Sequence, residues 1–551
     1  MSAFVKHKKK KFNAKRMKCA FCQKNGHESR FCPLTPTKAK GAEKCGWAEK
    51  LTALPVVEVS FYNDMSWEQA IDALLALGEA CNAGNPWSAS EKPVDTLRRN
   101  LGYWKAIGAS KAVLSWIVYG LEMWFEREPP RRFFRNNKSC EENADFLEKE
   151  LRENVLEGRF EICSPRDLWV CNPLGAAVNK KGKQRCVHDF RYVNAYQASP
   201  HFKMVSMKSE LPSVAAPGEI LLTKDLKGAF YRLIFKSQSR KYTGFHWRGI
   251  FYKALAMIFG WCNSPVHFTK VVRPIVRFFG AIEAACLNWA DDFLWSTEDR
   301  LLARLHRLID AVFSRLGWQF SEKGEEGTRV DFLGFVIDNC ARMYFVQKDK
   351  AERAIAVMRH LEEVRLVNQK VKKKDLQRLT GSLNSMTTAI PEIRAWTRAL
   401  YAIGGGNGET CLEEEQGEEL RMLISLLMEN RGHPFMDARW EADIYVDTSE
   451  TGWGAMINGE KWRGWLDASL IGTSSTMREL EGVLCLLHVE KIAELIRGKW
   501  IRLTMDSSAG IANLMKGGGP VPELCRVIKL ISLRMRELDV KARFKWRSRD
   551  K

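Results

Sequence analysis

The chain of 551 residues has no apolar run long enough to cross a membrane. The best stretch, Val113 to Phe125, is short and is broken by Glu122. The basic start, Met1 to Arg16, is followed by no apolar signal core, so secretion is not expected. The 15 cysteines are odd in number and mostly lack the spacing of a small disulfide scaffold, which points to reduced thiols in a cytoplasmic or nuclear compartment. Internal repeats and long low-complexity tracts are also missing, which excludes solenoids and fibrous proteins. What is there is a folded, multidomain composition, 45% hydrophobic, with 86 Lys and Arg against 66 Asp and Glu. A net charge of +20 fits a polyanionic partner, either nucleic acid or an anionic membrane surface, and with no apolar run of transmembrane length nucleic acid is the leading class.

Along the chain, residues 1–40 form a basic arm and 41–140 a helical spacer in which no chemistry is legible. Trp67, Ile71, Leu74 and Leu75 keep helical spacing there, as do Leu114, Ile117, Leu121 and Trp124. Pro129-Pro130 ends it. A helix is predicted near Asn143 to Gly158, then a strand-rich block over about 160–345, then helices over about 346–402. Gly404 to Gly406 and Glu413 to Glu415 read as a linker or exposed turn. After 440 the pattern is strand, strand, helix, strand, helix, strand.

In the basic arm, Cys19, Cys22, His27 and Cys32 have the spacing C-x2-C-x4-H-x4-C. Three thiolates and an imidazole can close a tetrahedral Zn2+ site, around which so short a loop folds. The spacing resembles the zinc knuckle of retroviral and retrotransposon nucleocapsid proteins. Phe21 and Phe31 could stack on bases, and Lys18, Lys24 and Arg30 could meet phosphates. The alternative is a disordered basic tail with incidental cysteines.

Two further segments can present carboxylates to hard divalent cations. Glu219 to Asp225 is an apolar strand ending in an acid, and Ala284 to Trp295 reads as strand, acidic turn, strand around Asp291-Asp292. Adjacent acids at a hairpin tip repel unless a cation lies between them, although a lone Asp-Asp pair is more often a solvated turn.

Here the sequence resembles reverse transcriptases, over about residues 140–400. Asp225-Leu-Lys-Gly-Ala-Phe-Tyr231 is similar to their first metal motif, and Trp289-Ala-Asp291-Asp292 to the third. Phe259-Gly260-Trp-Cys-Asn-Ser-Pro265-Val-His-Phe268 resembles the second, a turn and helix supporting template and incoming base. Lys180 to Asn194 looks like the fingers hairpin, so Lys180 or Lys181 and Arg185 inherit a clamp on the triphosphate. Leu316 to Lys323 resembles the fourth motif, in which Lys323 can protonate pyrophosphate. Phe332-Leu333-Gly334-Phe335 resembles the primer grip. Phe230 falls where a bulky ring collides with a 2′-hydroxyl, which implies dNTP substrates. Leu376 to Asn384 and Pro391 to Trp396 resemble the thumb and connection. There Lys348, Lys350, Arg353 and the run Lys370 to Lys374 either track the template–primer backbone or are solvated helix faces.

The carboxy-terminal block resembles RNase H. Asp443 to Ile457 looks like its opening hairpin, Thr476 to Leu484 its first helix, and Trp500 to Gly510 its central strand and following acid. Asp447, Glu479 and Asp506 would then hold two metal ions. Glu481, two residues along the helix, points elsewhere. No residue matches the family's fourth acid, and Asp550 comes too early. The resemblance therefore implies an incomplete or impaired nuclease, one completed by sequence beyond this chain, or a scaffold.

The expected fold is an α+β multidomain protein. A right-hand polymerase of fingers, palm and thumb, with an antiparallel palm sheet, precedes an incomplete α/β RNase H-like domain. The boundaries are 1–40, 41–140, 141–345 (fingers and palm), 346–437 (thumb and connection) and 438–551. Mg2+ or Mn2+ at both acidic sites, an RNA template, a DNA primer, an RNA/DNA hybrid and dNTPs are implied. A cytoplasmic or nuclear retroelement ribonucleoprotein particle is the implied setting. Arg185 to Arg191, Trp289 to Phe293 and Gly452 to Ala455 look most like DIRS and Ngaro-type tyrosine-recombinase retrotransposons. No aspartic protease, integrase or recombinase signature is legible. Two readings compete: an inactive, domesticated or decayed nucleic-acid-binding protein, and a viral RNA-directed RNA polymerase. The second is disfavoured by Phe230 and by the missing Gly-Asp-Asp turn.

Overall fold

A computed structural model describes residues 46–178, 182, 184–435 and 440–548. The zinc-ligand candidates Cys19, Cys22, His27 and Cys32, and also Lys180, Lys181 and Asp550, lie outside them. The fold is mixed α/β, and its contacts divide the chain into two compact units. The first takes in residues up to 204, 224–293 and 300–323; the second takes in 205–223, 294–299 and 324 onward.

In the first unit, the stretch read as a spacer is a layer of helices packed on the helices around the acidic turn. Trp67–Asn82 starts with a capping box in which Ser66 and Gln69 each bond the other's backbone N–H. Its Trp67 Nε1 donates to the Ile282 carbonyl at 3.0 Å, and Glu68 pairs with Arg304. Trp104, fully buried, donates to the Leu316 carbonyl at 3.0 Å and meets Trp318 edge-on. Tyr62 packs edge-on against Phe278. Buried aromatic rings of this size dominate core energetics, so this layer shares one core with the helices Ser264–Ala281 and Leu302–Arg315.

The same unit holds a five-stranded sheet, in the order Arg132–Phe133, Val170–Cys171, Gly244–Trp247, Ile250–Ala254, Phe160–Cys163. A separate hairpin, Leu174–Val178 with Gln184–His188, pairs Ala177 with Arg185. The predicted helix near 143–158 runs Ala144–Leu156 and buries Leu147 and Leu151, with Asn154 as its third buried residue. The Asn154 amide bonds the Glu150 carbonyl and its oxygen accepts from Arg159, so the polar side chain is satisfied inside.

In the second unit, the strands Arg329–Phe332, Phe335–Asp338, Met343–Val346 and His433–Pro434 form an antiparallel sheet. Its first turn is Leu333–Gly334, with both residues at positive φ, the twist that suits a two-residue hairpin. The acidic run read as a linker starts the 16-residue helix Glu414–Glu429. Glu413 caps it in a box with Gln416, and its first-turn acids complement the helix dipole.

A five-stranded sheet closes the described chain, in the order Glu460–Trp465, Gly452–Ile457, Ala442–Thr448, Trp500–Met505, Lys541–Trp546. The first three strands are antiparallel and the last two run parallel to Ala442–Thr448. Its strand Glu460–Trp465 was absent from the pattern read in the sequence. On this edge Lys461, Arg463 and Trp465 stand where a half-buried strand would alternate more sharply.

Candidate functional site

Asp225 ends the strand Ile220–Asp225, and Asp291 and Asp292 sit at the turn between Cys286–Trp289 and Asp292–Thr297. The first unit brings all three together, because the Leu226 N–H donates to the Asp291 carbonyl at 2.9 Å. The turn holds Ala290 at φ 54, a conformation that costs a non-glycine residue about 1–2 kcal/mol. Asn288 offsets part of that cost by donating to the Ala290 carbonyl at 2.8 Å.

Ser321, which the sequence did not single out, holds Asp225 in place. Its hydroxyl donates to Asp225 Oδ2 at 3.0 Å, and its N–H donates to the Asp225 carbonyl at 2.7 Å. The signal was present, since Ser321 lies inside the segment Leu316 to Lys323.

Electrostatics mark the cluster. Burial, then Asp291 and Asp225, push the Asp292 carboxyl up to about 6. The Asp291 carboxyl is also raised, by burial first and then by Asp225, against the opposing pull of Arg185 and Lys323. Half-buried oxygens that resist becoming charged together are a donor set suited to divalent cations. Lys323 is exposed on the loop after Ser321 and acts on both acids.

Five residues after Asp225 in the chain, Phe230 packs edge-on against Phe259, with centroids 4.7 Å apart, and against Phe268 at 5.1 Å. Phe259 stays 55% exposed, so this aromatic corner opens to solvent. Gly260 follows at φ 102, where a β-carbon would meet the His188 carbonyl oxygen at 2.6 Å. Asn194 braces the turn by donating to the Gly260 carbonyl and accepting from the Cys262 N–H. Phe332, Leu333 and Gly334 belong to the second unit.

A second acidic site lies within the second unit. Asp447, Glu479 and Asp506 bring one oxygen each to within 4.8 Å of one another, and among the described residues no other three His, Cys, Asp or Glu do so. The parallel pairing of Val446 with Met505 sets Asp447 and Asp506 at neighbouring strand ends. Glu479, 5% exposed, comes from the helix Ser475–His488, capped by Ser474. That helix lies close on the sheet: a β-carbon on Gly482 would come 2.5 Å from Thr448 Cγ2. Glu481 instead has Arg526 and Asp467 in its surroundings.

Residues 178–337 match the family model described as reverse transcriptase (RNA-dependent DNA polymerase). The Pro-Pol polyprotein of Simian foamy virus type 1 is 27% identical over 253 residues, covering 45% of this chain and 20% of the polyprotein. The chain thus spans about a fifth of the length of that curated relative. The solved foamy viral protease–reverse transcriptase in complex with an RNA/DNA hybrid is 15% identical, with a TM-score of 0.49, covering 87% of this chain and 63% of that one. Its complex with double-stranded DNA gives 17% identity and a TM-score of 0.47, over 86% and 96% of the two chains. The matched segment takes in Arg185, Phe230, Gly260 and all three acids of the first site, and the chain carries a reverse transcriptase domain.

Proposed function

We propose that the protein is an RNA-directed DNA polymerase that copies a retroelement RNA into DNA, with Asp225, Asp291 and Asp292 as its metal-holding acids. The observation that carries this reading is the charge repulsion that Asp291 and Asp225 exert on Asp292, whose half-buried carboxyl is pushed up to about 6, inside the segment that matches reverse transcriptases. Bound there, Mg2+ or Mn2+ would lower the pKa of the attacking 3′-hydroxyl and stabilise the leaving pyrophosphate. The chain's own residues do the rest. Arg185, with Lys180 or Lys181, holds the triphosphate, and Lys323 stands ready to give pyrophosphate a proton. The Phe230 ring excludes a 2′-hydroxyl, while Phe259 and Gly260 seat the incoming base.

In this reading the first unit supplies fingers and palm. Phe332 to Gly334 grip the primer, and the helices after residue 346 act as thumb and connection. Asp447, Glu479 and Asp506 would hold the ions of an RNase H. Their oxygens lie close enough to share cations, and Glu479→Gln should abolish cleavage of the RNA strand in a hybrid. The Cys19, Cys22, His27 and Cys32 knuckle would bind Zn2+ and single-stranded RNA. A DIRS- or Ngaro-type retrotransposon is the proposed origin.

Primer extension on an RNA template, with dNTPs or NTPs and with wild type or Asp291→Asn, tests the main claim. Extension with dNTPs that Asp291→Asn abolishes is expected. Extension with NTPs would sink it in favour of an RNA polymerase. Retained RNA binding without extension would mean an inactive binding module.

A further inference from the structure

At the opposite end of the carboxy-terminal sheet from its acids, basic side chains from four segments of the second unit converge. Lys208 comes from the helix Met207–Val214, Arg394 from the turn Pro391–Thr397, His433 from the short strand His433–Pro434, and Lys541 and Arg543 from the last strand Lys541–Trp546. The pairing of Trp500 with Lys541 puts the cluster where these strands start, whereas Asp447 and Asp506 stand where their strands end. Trp500 to Asp506 is about 20 Å of extended chain.

Two indoles wall one side of the cluster. His433 packs on the Trp500 ring with centroids 6.1 Å apart, Trp440 packs on the same ring at 6.2 Å, and Arg543 lies over Trp440 at 5.4 Å. Lys208, Arg394, His433 and Lys541 are half-buried, and Arg543 is exposed. The charges of Arg394 and Arg543 reach Lys208, and those of Lys208, Lys541 and Arg394 reach His433. Burial first, and these cations after it, push the His433 imidazole down to about 3. Among the described residues, no carboxylate pairs with Lys208, Arg394, Lys541 or Arg543. The acids beside Trp500 are engaged elsewhere: Asp443 pairs with Arg502, and Glu441 accepts from the Trp500 N–H at 2.9 Å. Arg394 bonds neutral oxygens, the Met515 carbonyl at 3.5 Å and the Thr387 hydroxyl at 3.3 Å.

Half-buried cations gathered without a counterion repel one another and are costly to desolvate, so such a set calls for an anion. A duplex presents its phosphates in rows along a wide rod, which suits rows of exposed cations. A compact ion of concentrated charge suits a few half-buried ones. We propose that the cluster of Lys208, Arg394, His433, Lys541 and Arg543 binds a small polyphosphate anion, of the pyrophosphate or tripolyphosphate class. The anion ties the last strand to the helix Met207–Val214 and to the turn Pro391–Thr397, and the neutral His433 adds an N–H donor to the cations.

The test is isothermal titration of the full chain with sodium tripolyphosphate in metal-free buffer, where the acidic sites cannot hold the anion through a cation. Thermal melts accompany it. Wild type should bind the anion and melt about 2 °C or more higher at saturation, and sodium chloride at equal ionic strength should give no such rise. The double variant Lys208→Met, Lys541→Met keeps both aliphatic stems and should bind about tenfold or more weakly. Without the anion it should melt no lower than wild type, because the charges it removes repel their neighbours. Arg543→Gln, on the exposed rim, should weaken binding severalfold and leave melting in the absence of the anion unchanged.

Absence of binding in wild type, or binding that the double variant retains, overturns the site. A double variant that melts well below wild type without the anion does so too, since its lysines would then have partners within the fold. An equal loss of affinity for a blunt RNA/DNA duplex in that variant would make the cluster a stretch of polynucleotide track, and would also sink the small-anion site.

Discussion

Asp292 is held near two other carboxylates, and its own carboxyl titrates at about 6 because burial, Asp291 and Asp225 all oppose its charge. The folded state therefore keeps the proton longer than an unfolded chain, whose Asp titrates at about 3.9. Without metal, the penalty is absent below about pH 4 and fully present above about pH 6, so stability should fall as pH rises through that window. Asp292→Asn removes the charge and should stabilise the metal-free fold at pH 7 by about 1–2 kcal/mol, a figure reduced for solvent screening. Thermal melts in chelator at pH 4 and pH 7 check this: a wild-type melting curve as stable at pH 7 as the variant's would refute it. Cation binding has the opposite slope, since it must displace the proton, so Mg2+ affinity should weaken as pH drops below about 6. Isothermal titration of wild type with Mg2+ at pH 5.5 and pH 7.5 reads that slope directly, and equal affinities would count against Asp292 as a ligand. The identities of these acids were readable from the motifs, but the strength of their repulsion was not. It depends on burial and on the Leu226–Asp291 backbone bond, which joins segments that are far apart in the chain.

Helices and strands were legible where periodicity was strong, and they were misread where a local signal had two meanings. Glu413 to Glu415 looked like a solvated turn, yet the same acids make a good helix start once Gln416 closes a capping box. Glu460–Trp465 lacks clean alternation, since it is an edge strand whose positions are mostly exposed. The helical layer before Pro129 showed its periodicity but not its purpose. Its key contacts, Trp67 to Ile282 and Trp104 to Leu316, span 215 and 212 residues, and no local pattern encodes such pairings. Those contacts make the layer part of the same core as the acidic turn. Trp104→Ala deletes a fully buried ring and leaves the Leu316 carbonyl without that partner, which should cost about 3–5 kcal/mol. Urea unfolding followed by intrinsic fluorescence should register the loss, with primer extension falling in parallel at elevated temperature. A variant as stable as wild type would mean that the layer is an appendage.

Across the whole molecule, the excess positive charge and the two acidic sites pull in opposite directions. A net charge of +20 favours polyanions at the surface at large, while under the proposed reading the acids would hold cations at two points. Composition made the first legible and motif order the second. The choice of Glu479 over Glu481 was legible as well, because two residues along a helix lie on different faces, and the oxygens of Asp447, Glu479 and Asp506 do converge. The two sites belong to different units. Asp291→Asn should abolish DNA synthesis and leave cleavage of an RNA/DNA hybrid within about twofold of wild type, while Glu479→Gln should do the reverse. Glu479→Gln keeps the size of a buried side chain and removes only its charge, so a lost activity there would report metal binding more than packing. The measurement is paired: extension on an RNA template, and release of RNA fragments from a preformed hybrid without dNTPs. Loss of both activities in either variant would contradict two independent sites, and a wild type without cleavage would leave Asp447, Glu479 and Asp506 as a scaffold.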